Sequence, residues 1–472
     1  MKNDIPQKSG ERKIYPGNER FAKLIENNRE IFKNSINIFE HNIPYYREKL
    51  KSELSLEGKE IILTGHQPEF SHCGIIFKNY LASEIASSQN SFPVNVIIDY
   101  DLPRLFFLFP SQQGTEFINL ELPVKNKEKI VHDLVIDVGR MDKFISDVNK
   151  YSRVFPEEIK KNILNFSELL NTRLQENNDH LSLISELRKE WEIKNRFTIN
   201  DIPASEIYSG ETFSNFVMEI SKDAVSFQKC YNAILTSYRR ERGIRTKANP
   251  VPDLGKEVVD LKNYYELPFW YIDSEGFRYS LYGDESGELF ILINGEPEKA
   301  EENNRFRPKA LMNTIFLRLF LGEIFIHGLG GSKYDAISDL ILKEYFEVPP
   351  PAFITATYSR RIRNIDNSLY ERISLLMNEQ KLLLTHPEKF LDPSNPLVIE
   401  KEVLIDDIKV APKNLKKEIA DRINTITALM SAELTEKMEK ISDQIEELDF
   451  KLTRENIICS REFPYFYFDT LF

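Results

Sequence analysis

The chain has 472 residues, a formal net charge of −12 and a hydrophobic fraction of 41%. This length predicts two or three domains, and this composition is that of a packed globular protein, which excludes wholesale disorder. The negative charge argues against a general nucleic-acid surface, because neutralising phosphates requires clustered Lys and Arg.

The sequence contains no targeting or membrane-spanning pattern. Residues 1–17 are polar and lack the apolar core of a secretory signal, and no apolar run is long enough to span a membrane. The three cysteines are widely spaced, which argues against a disulfide framework and against a zinc site built on CxxC pairs. We therefore expect a cytoplasmic protein with no membrane partner and no nucleic-acid partner; no residues are assigned as metal ligands, and a requirement for Mg²⁺ stays open.

The first part of the chain predicts a strand–helix–strand unit. Residues 18–53 have helical spacing of apolar residues, and Glu60–Leu63 is a short apolar run typical of a buried strand. A glycine turn follows, a helical pattern runs from Ile75 to Ser88, and Pro93–Asp99 is a second β-rich run. Units of this kind form parallel sheets.

The middle of the chain mixes patterns. Residues 114–137 alternate in polarity and predict β-ribbons, whereas 141–239 is mainly helical. Residues 254–296 contain several short strands separated by turns, which predicts a β meander inserted before the main fold resumes.

A second strand–helix–strand unit follows the meander. Ala310–Leu321 predicts an apolar helix and Ile324–Ile326 a buried strand. His327–Lys333 predicts a glycine-rich turn, Tyr334–Tyr345 a helix and Phe353–Thr357 the closing strand.

Two long charged segments, Ser359–Thr385 and Leu415–Arg454, have apolar residues every three or four positions and a proline-rich link between them. They predict an antiparallel helical hairpin. The predicted fold class is therefore α/β, a parallel-sheet core with inserted helical and β segments plus this hairpin. The predicted divisions are 1–140 and 251–358 for the two parts of the core, 141–250 for a helical insertion, 359–456 for the hairpin and 457–472 for a tail.

The first candidate site is Thr64-Gly65-His66-Gln67, at the carboxyl end of the first strand. Glycine permits a tight turn, and the backbone amides that open the next helix can hold an anion. His66 would donate to a phosphate or to charge that develops during group transfer. In the alternative interpretation, Gly65 serves the turn and His66 caps the helix.

The second candidate is Asp99-Tyr100-Asp101, at the carboxyl end of the next strand. Ligands of open α/β sheets collect where strands end. Asp99 and Asp101 would bind a ligand's amine, a ribose or a hydrated Mg²⁺. Alternatively, both are turn residues.

The third candidate is the glycine-rich segment after strand Ile324–Ile326, which has the composition of a phosphate cradle. Lys333 would supply a mobile positive charge that Asp335 orients, or the segment is a tight loop with Ser332 as the N-cap of the helix. Its candidate residues are His327, Gly330, Gly331, Ser332, Lys333 and Asp335.

Arginines provide the fourth candidate. Arg239 and Arg240 lie in a basic run, and Arg307 precedes the second unit. Guanidinium groups bind carboxylate or phosphate in a bidentate manner, so these residues are candidates for clamping a substrate. A charge run at a helix end is also commonly a solvated surface.

These residues together resemble the bacillithiol biosynthesis cysteine-adding enzymes. The glycine turn at residue 65 resembles that family's Thr-Gly-Gln-Gln turn, and Asp99-Tyr100-Asp101 is similar to its acidic cluster. The later motifs follow the family's order; they are Arg307-Pro308, Gly330-Gly331, Tyr345-Phe346 and Pro349-Pro350. The resemblance spans most of the chain, although His66 stands where the family has Gln and Tyr100 precedes Asp101 where the family has His.

The resemblance implies a Rossmann-like core, a coiled-coil hairpin that forms a homodimer, and a ligase-like enzyme that joins cysteine to a glucosaminyl-malate acceptor. We expect a ligase or transferase that binds ATP, ADP or another phosphate ligand where the two glycine segments open onto one hollow. A non-catalytic scaffold of the same fold, and a nucleotidyltransferase acting on a sugar-type acceptor, are the alternatives.

Overall fold

The structure is a computed structural model that describes residues 5–176, 180–300 and 303–471. These residues form two compact units. The second unit comprises Pro110–Ile118 and Ile362–Ser460, and the first unit comprises the rest of the described chain.

The strands in chain order are β1 (Arg12–Tyr15), β2 (Asn37–Ile38), β3 (His41–Asn42), β4 (Ile61–His66), β5 (Phe92–Ile97), β6 (Phe106–Pro110), β7 (Phe117–Glu121), β8 (Asn200–Pro203), β9 (Lys256–Val259), β10 (Lys262–Ile272), β11 (Arg278–Gly283), β12 (Leu289–Ile293), β13 (Glu296–Lys299), β14 (Phe306–Pro308), β15 (Ile324–His327) and β16 (Phe353–Tyr358).

The α-helices are α1 (Phe21–Lys33), α2 (Ile43–Glu53), α3 (Cys73–Gln89), α4 (Met141–Ser152), α5 (Glu157–Glu176), α6 (His180–Lys194), α7 (Ala204–Tyr208), α8 (Glu211–Lys222), α9 (Ala224–Glu241), α10 (Ala310–Phe320), α11 (Leu329–Glu344), α12 (Ser368–Thr385), α13 (Pro396–Val410), α14 (Lys413–Glu433) and α15 (Thr435–Ile458).

The main sheet has the strand order β1-β16-β15-β4-β5-β8. Its strands are parallel except β1, which is antiparallel to β16. Helix α3 connects β4 to β5 and α11 connects β15 to β16, as the sequence predicts. Because β4 pairs directly with β15, the carboxyl ends of the strands from both predicted units lie at one rim of the sheet.

The central strands of the main sheet are buried, as is usual for parallel strands. Every residue of β15 is buried, and in β4 only Gly65 is partly exposed. Strands buried on both faces read as unbroken apolar runs, which is the pattern that the sequence shows here. Helix α10, also almost wholly apolar and buried, precedes β15.

The segment predicted as a helical insertion also supplies a strand of the main sheet. β8 pairs in parallel with β5 through Val94 opposite Asn200 and Ile97 opposite Pro203. The sequence prediction missed β8 because four residues that include a proline give no alternation to recognise.

The helix predicted over 18–53 is interrupted. Between α1 and α2 the chain forms the short β2–β3 hairpin, in which Phe39 has a φ of 60°. Asn42 then caps α2 by accepting a hydrogen bond from Tyr45 N at 2.9 Å, and Pro44 occupies the first turn, where its missing N–H has no intrahelical partner to lose.

The predicted β meander is present as an antiparallel sheet of order β13-β12-β11-β10-β14, with β9 also paired to β10. The sequence predicts a strand over Phe269–Ile272, whereas β10 begins at Lys262 and is irregular between Glu266 and Trp270. This second sheet carries Glu266 and Trp270 on β10 and Arg278 on β11.

In the second unit, α12 packs against α15 and α13 packs against α14. Both pairs are antiparallel. Tyr370 near the start of α12 contacts Asn456 near the end of α15, and Gln380 further along α12 contacts Ser442. The predicted hairpin is therefore observed as two pairs of helices.

The sequence prediction differs from the structure of the second unit in three places. The helix predicted from Ser359 begins at Ser368, and the helix predicted over Leu415–Arg454 is divided at Leu434. The proline-rich link contains α13, because Pro396 lies in its first turn and the Asn395 side chain caps it.

The C-terminal residues return to the first unit and are buried there. Trp191 Nε1 donates to Phe468 O at 2.9 Å, and the Tyr467 hydroxyl donates to Leu108 O at 2.8 Å. Phe463, Tyr465 and Tyr467 are at most 1% exposed. The segment predicted as a tail is therefore part of the core of this unit.

Candidate functional site

A cleft of about 500 Å³ lies in the first unit at the carboxyl ends of β4, β5 and β15. Gly65, His66 and Gln67 line it from one strand end, and His327 and Gly331 line it from another. The expectation that the two glycine segments open onto one hollow is confirmed. The second sheet, the amino end of α10, and Tyr231 of α9 with the loop at 251–254 form the other walls.

Asp101 lines the cleft and pairs with Arg278 of β11. The distance from Arg278 Nη1 to Asp101 Oδ1 is 2.7 Å, and Leu102 N donates to the same oxygen at 2.9 Å. Burial opposes ionisation, but the hydrogen bonds from Arg278 and Leu102 outweigh it and hold the pKa of Asp101 below its ordinary value. Asp101 is therefore a carboxylate at neutral pH.

A second ion pair joins Lys309 to Glu266. Lys309 Nζ contacts Glu266 Oε1 and lies 3.2 Å from Ser280 Oγ, while Gly255 N donates to Glu266 Oε2 at 2.7 Å. Burial lowers the pKa of Lys309, although Glu266 opposes this shift. The cleft therefore holds two cations, each with its own carboxylate.

Trp270 connects the two pairs. The Arg278 guanidinium lies 4.4 Å and the Lys309 ammonium 4.3 Å from the centre of the indole ring. Cations over an aromatic face are attracted by the ring quadrupole, so Trp270 fixes both at the cleft wall. The sequence offered no signal for Arg278 or Glu266, because both enter the cleft only through pairing within the second sheet.

Two helices begin at the cleft. Ala310 and Leu311 of α10 and Gly331 of α11 line it. The N-caps of these helices, Lys309 and Gly328, make no side-chain hydrogen bond to the first turn. The first backbone N–H groups of a helix have no intrahelical partners and carry partial positive charge, so both helix ends favour an anion in the cleft.

The glycine-rich segment is helical rather than a turn. α11 begins at Leu329, five residues before the predicted start, and Gly330 and Gly331 occupy its first turn. Gly328 is the N-cap, and Ser332 Oγ donates to Leu329 O at 3.2 Å, so the alternative in which Ser332 caps the helix is wrong.

Lys333 does not line the cleft, and its backbone O accepts a hydrogen bond from the Tyr238 hydroxyl at 3.2 Å. Asp335 is buried, and its partners are His327 and Arg318 rather than Lys333. Its Oδ2 lies 2.7 Å from His327 Nε2, and its Oδ1 lies 3.7 Å from Arg318 Nη1. Burial lowers the pKa of His327 despite Asp335.

His66 is buried and neutral. Its Nδ1 lies 2.8 Å from Gln67 O, and because a carbonyl only accepts, Nδ1 carries the proton. Nε2 makes no hydrogen bond of acceptable geometry to the described residues. Burial, reinforced by Lys78 and Arg188, lowers the pKa of His66 well below its ordinary value. In this form Nε2 accepts rather than donates, so His66 does not fit the predicted role of phosphate donor.

A polar layer lies on one face of the main sheet, next to the first glycine turn. Thr64, Asn95 and Asp201 are register partners across β4, β5 and β8. Asn95 Nδ2 donates to Asp201 Oδ1 at 2.8 Å, and Arg188 of α6 forms an ion pair with Asp201. Buried polar groups normally cost stability unless they are paired, so this layer is an exception to the apolar core around it.

Helix α3 completes the polar layer. Asn79 Nδ2 donates to Glu192 Oε1 at 2.9 Å, and Lys78 Nζ donates to Gly65 O at 2.9 Å. Burial lowers the pKa of Lys78 to about 8. Lys78 therefore fixes the carbonyl of Gly65, which lies within β4 rather than in the predicted turn; the alternative in which His66 caps the helix is wrong, because His72 is the N-cap of α3.

Asp99 and Asp101 contact different partners. Its buried carboxylate accepts hydrogen bonds from Ser205 N at 2.9 Å and from Ser205 Oγ, and lies 3.6 Å from His132 Nδ1. Because Asp101 faces Arg278 instead, the two acids have different partners, and Asp99 stabilises the start of α7. Neither Asp99 nor Arg307 lines the cleft.

The predicted arginine clamp is built into local structure. Arg239 donates to the backbone carbonyls of Lys247, Asn249 and Val251 and pairs with Asp253. These contacts fix the loop that brings Asp253 to the cleft. Arg307 Nη1 donates to two nearby carbonyls, and Arg240 is exposed.

Among the described residues, no group of three or more His, Cys, Asp or Glu is arranged to hold a metal ion. No helix within the described ranges is both long enough and apolar enough to cross a membrane. A comparison with known protein families and with curated proteins found no match.

Proposed function

We propose that the chain is a ligase-like or transferase enzyme that binds a phosphate-bearing ligand such as ATP or ADP in the cleft and joins an amino acid to a small acceptor. The observation that carries this proposal is the convergence of two helix amino ends with Arg278 and Lys309 around one cleft at the strand ends. Ligands of open α/β sheets bind at such a rim.

The charges of the cleft suit a ligand that carries both a phosphate and an amine. The helix ends and the two cations attract phosphate, and the carboxylates of Asp101 and Glu266 attract an amine. A volume of about 500 Å³ lies within the range of small-molecule sites. His66, with Nδ1 protonated, would serve as an acceptor or positioning group rather than as a donor from Nε2.

The resemblance to the bacillithiol biosynthesis cysteine-adding enzymes supports the same reaction class. It adds cysteine as the candidate amino acid, a Rossmann-like description of the main sheet, and a homodimer formed through a coiled coil in the second unit. We propose these properties and a cytoplasmic location together with the reaction.

A thermal-shift measurement tests the proposal. A ligand that binds only the folded state stabilises it by about 2.7 kcal/mol at 100 times its Kd, so ATP or ADP is expected to raise Tm. Lys309→Met should abolish most of this rise, whereas Lys333→Met, a matched lysine outside the cleft lining, should retain it. An unchanged Tm of the wild-type protein at millimolar nucleotide would count against nucleotide binding.

A further inference from the structure

A second cavity, of about 630 Å³, lies in the first unit at the opposite rim of the main sheet. Its lining includes Glu60, which directly precedes β4, and Glu323, which directly precedes β15. Because these strands are parallel, their amino ends lie away from the cleft. We name this space the amino-end cavity; α1 and α2 form most of its walls.

The floor of the amino-end cavity carries more positive than negative charge. Glu323 Oε1 lies 2.6 Å from Arg47 Nη2 and 3.2 Å from Lys51 Nζ, and its Oε2 accepts from Ile61 N at 2.6 Å. One carboxylate is therefore shared by two cations. Arg47 is 7% exposed, and its guanidinium lies 3.9 Å from the centre of the Phe32 ring.

The walls carry charges of both signs. Arg29, Lys33 and Lys59 add three cations, of which Arg29 pairs with Glu60 and Lys33 pairs with Glu30, an acid outside the lining. Arg29 Nε is buried without a hydrogen-bond partner among the described residues. The remaining acids in the lining are Glu48, Glu57 and Glu60. The lining has five cations and four carboxylates, and Glu30, which pairs with Lys33 from outside the lining, brings the local sum to zero. The positive excess is therefore confined to the floor, where Arg47 and Lys51 share Glu323.

We propose that the amino-end cavity is a second small-molecule site, which binds a phosphate-bearing metabolite. Arg47 and Lys51 on the floor present the two kinds of cation that proteins use for phosphate, and Phe32 provides an apolar surface beside them. The volume is that of a metabolite site rather than of a single ion. This site is separate from the cleft and does not depend on the function proposed for it.

Titration calorimetry on the full chain, with pyrophosphate as the probe, tests the proposal. Lys51→Met removes one floor cation but leaves Glu323 paired with Arg47 and Ile61 N, and it should weaken binding at least tenfold. Lys33→Gln should weaken binding severalfold. Its side chain is 71% exposed, so this substitution should not disturb folding. Lys309→Met removes pyrophosphate binding at the cleft, and it should leave the binding component that depends on Lys51 unchanged.

The outcomes separate the two sites. A component of pyrophosphate binding that is lost with Lys51→Met and retained with Lys309→Met supports the amino-end cavity. Binding that is retained in Lys51→Met and Lys33→Gln but lost in Lys309→Met overturns this inference and leaves the cleft proposal standing. Absence of any pyrophosphate binding to the wild-type protein at millimolar concentration also overturns it, whatever nucleotides do at the cleft.

Discussion

At the scale of single residues, the cleft is built from pairs of opposite charge. Lys309 with Glu266 and Arg278 with Asp101 each place a cation beside the same indole ring. Removing one member of such a pair leaves the other buried without its counter-charge, which costs more than removing both. Stability and ligand binding are therefore linked at these four residues.

We predict that Lys309→Met lowers the free energy of unfolding by about 3 kcal/mol, because it leaves Glu266 partly buried and without its cation. The double variant Lys309→Met/Glu266→Gln should recover at least half of that loss. Urea unfolding of both variants measures the difference. Equal losses in the single and double variants would contradict the charge-pair interpretation.

The pH dependence of stability should report Lys78. Its pKa is lowered from 10.5 to about 8 by burial, so the folded state binds fewer protons than the unfolded state between these values. Stability should therefore rise as pH increases from 8 to 10.5, by an amount on the order of 3 kcal/mol, whereas below pH 8 this contribution is constant.

Lys78→Met is the matched control for this prediction. The difference in free energy of unfolding between the wild-type protein and Lys78→Met should grow in favour of the wild type over that pH interval, as measured by urea unfolding at pH 7, 8.5 and 10. Parallel pH profiles would show that Lys78 titrates normally.

At the scale of elements, the strand–helix–strand units and the meander could be predicted because their signals are local. Apolar runs of three residues, each with a glycine two positions later, define β4 and β15 without knowledge of the rest of the chain. The start of α11 could not be placed, because consecutive glycines are typical of turns in sequence, whereas here Gly330 and Gly331 lie in the first turn of the helix.

The two glycines of α11 provide a matched pair of variants. A Cβ added at Gly330 meets no atom within 4 Å, whereas one at Gly331 lies 3.2 Å from His327 Nδ1. We predict that Gly330→Ala raises the free energy of unfolding by about 0.5–1 kcal/mol, because it reduces the entropy of the unfolded chain. Gly331→Ala should gain less or destabilise. A larger gain from Gly331→Ala in denaturant unfolding would contradict this packing.

At the scale of the whole molecule, the site could be only partly predicted. The strand-end residues at 65–67 and 327–331 were identified from sequence because chain order places them after strands. Arg278 and Glu266 were not, because they reach the cleft through a second sheet that is remote in sequence. Asp99 and Lys333 also follow strands, and Arg239 lies in a basic run, but their contacts lie in packing and loop structure.

The C-terminal segment is predicted to be essential for the fold of the first unit. Truncation after Ser460 removes several aromatic side chains that are almost fully buried, each worth about 1.5–3 kcal/mol. We expect loss of more than about 5 kcal/mol and no cooperative thermal transition for this unit. Tyr467→Phe, which removes only the hydrogen bond to Leu108 O, should cost about 1 kcal/mol. A truncated chain that melts like the full chain would contradict this.

The proposed function requires that the two strand-end segments and the start of α10 form one ligand site. Hydrogen–deuterium exchange with and without saturating ATP tests it most directly. Slower exchange is expected together in 64–67, 310–312 and 329–331, because bound ATP covers the end of β4 and its phosphates accept hydrogen bonds from first-turn amides that lack intrahelical partners. Unchanged exchange in all three segments while ATP binds, or protection confined to another part of the chain, would contradict the account.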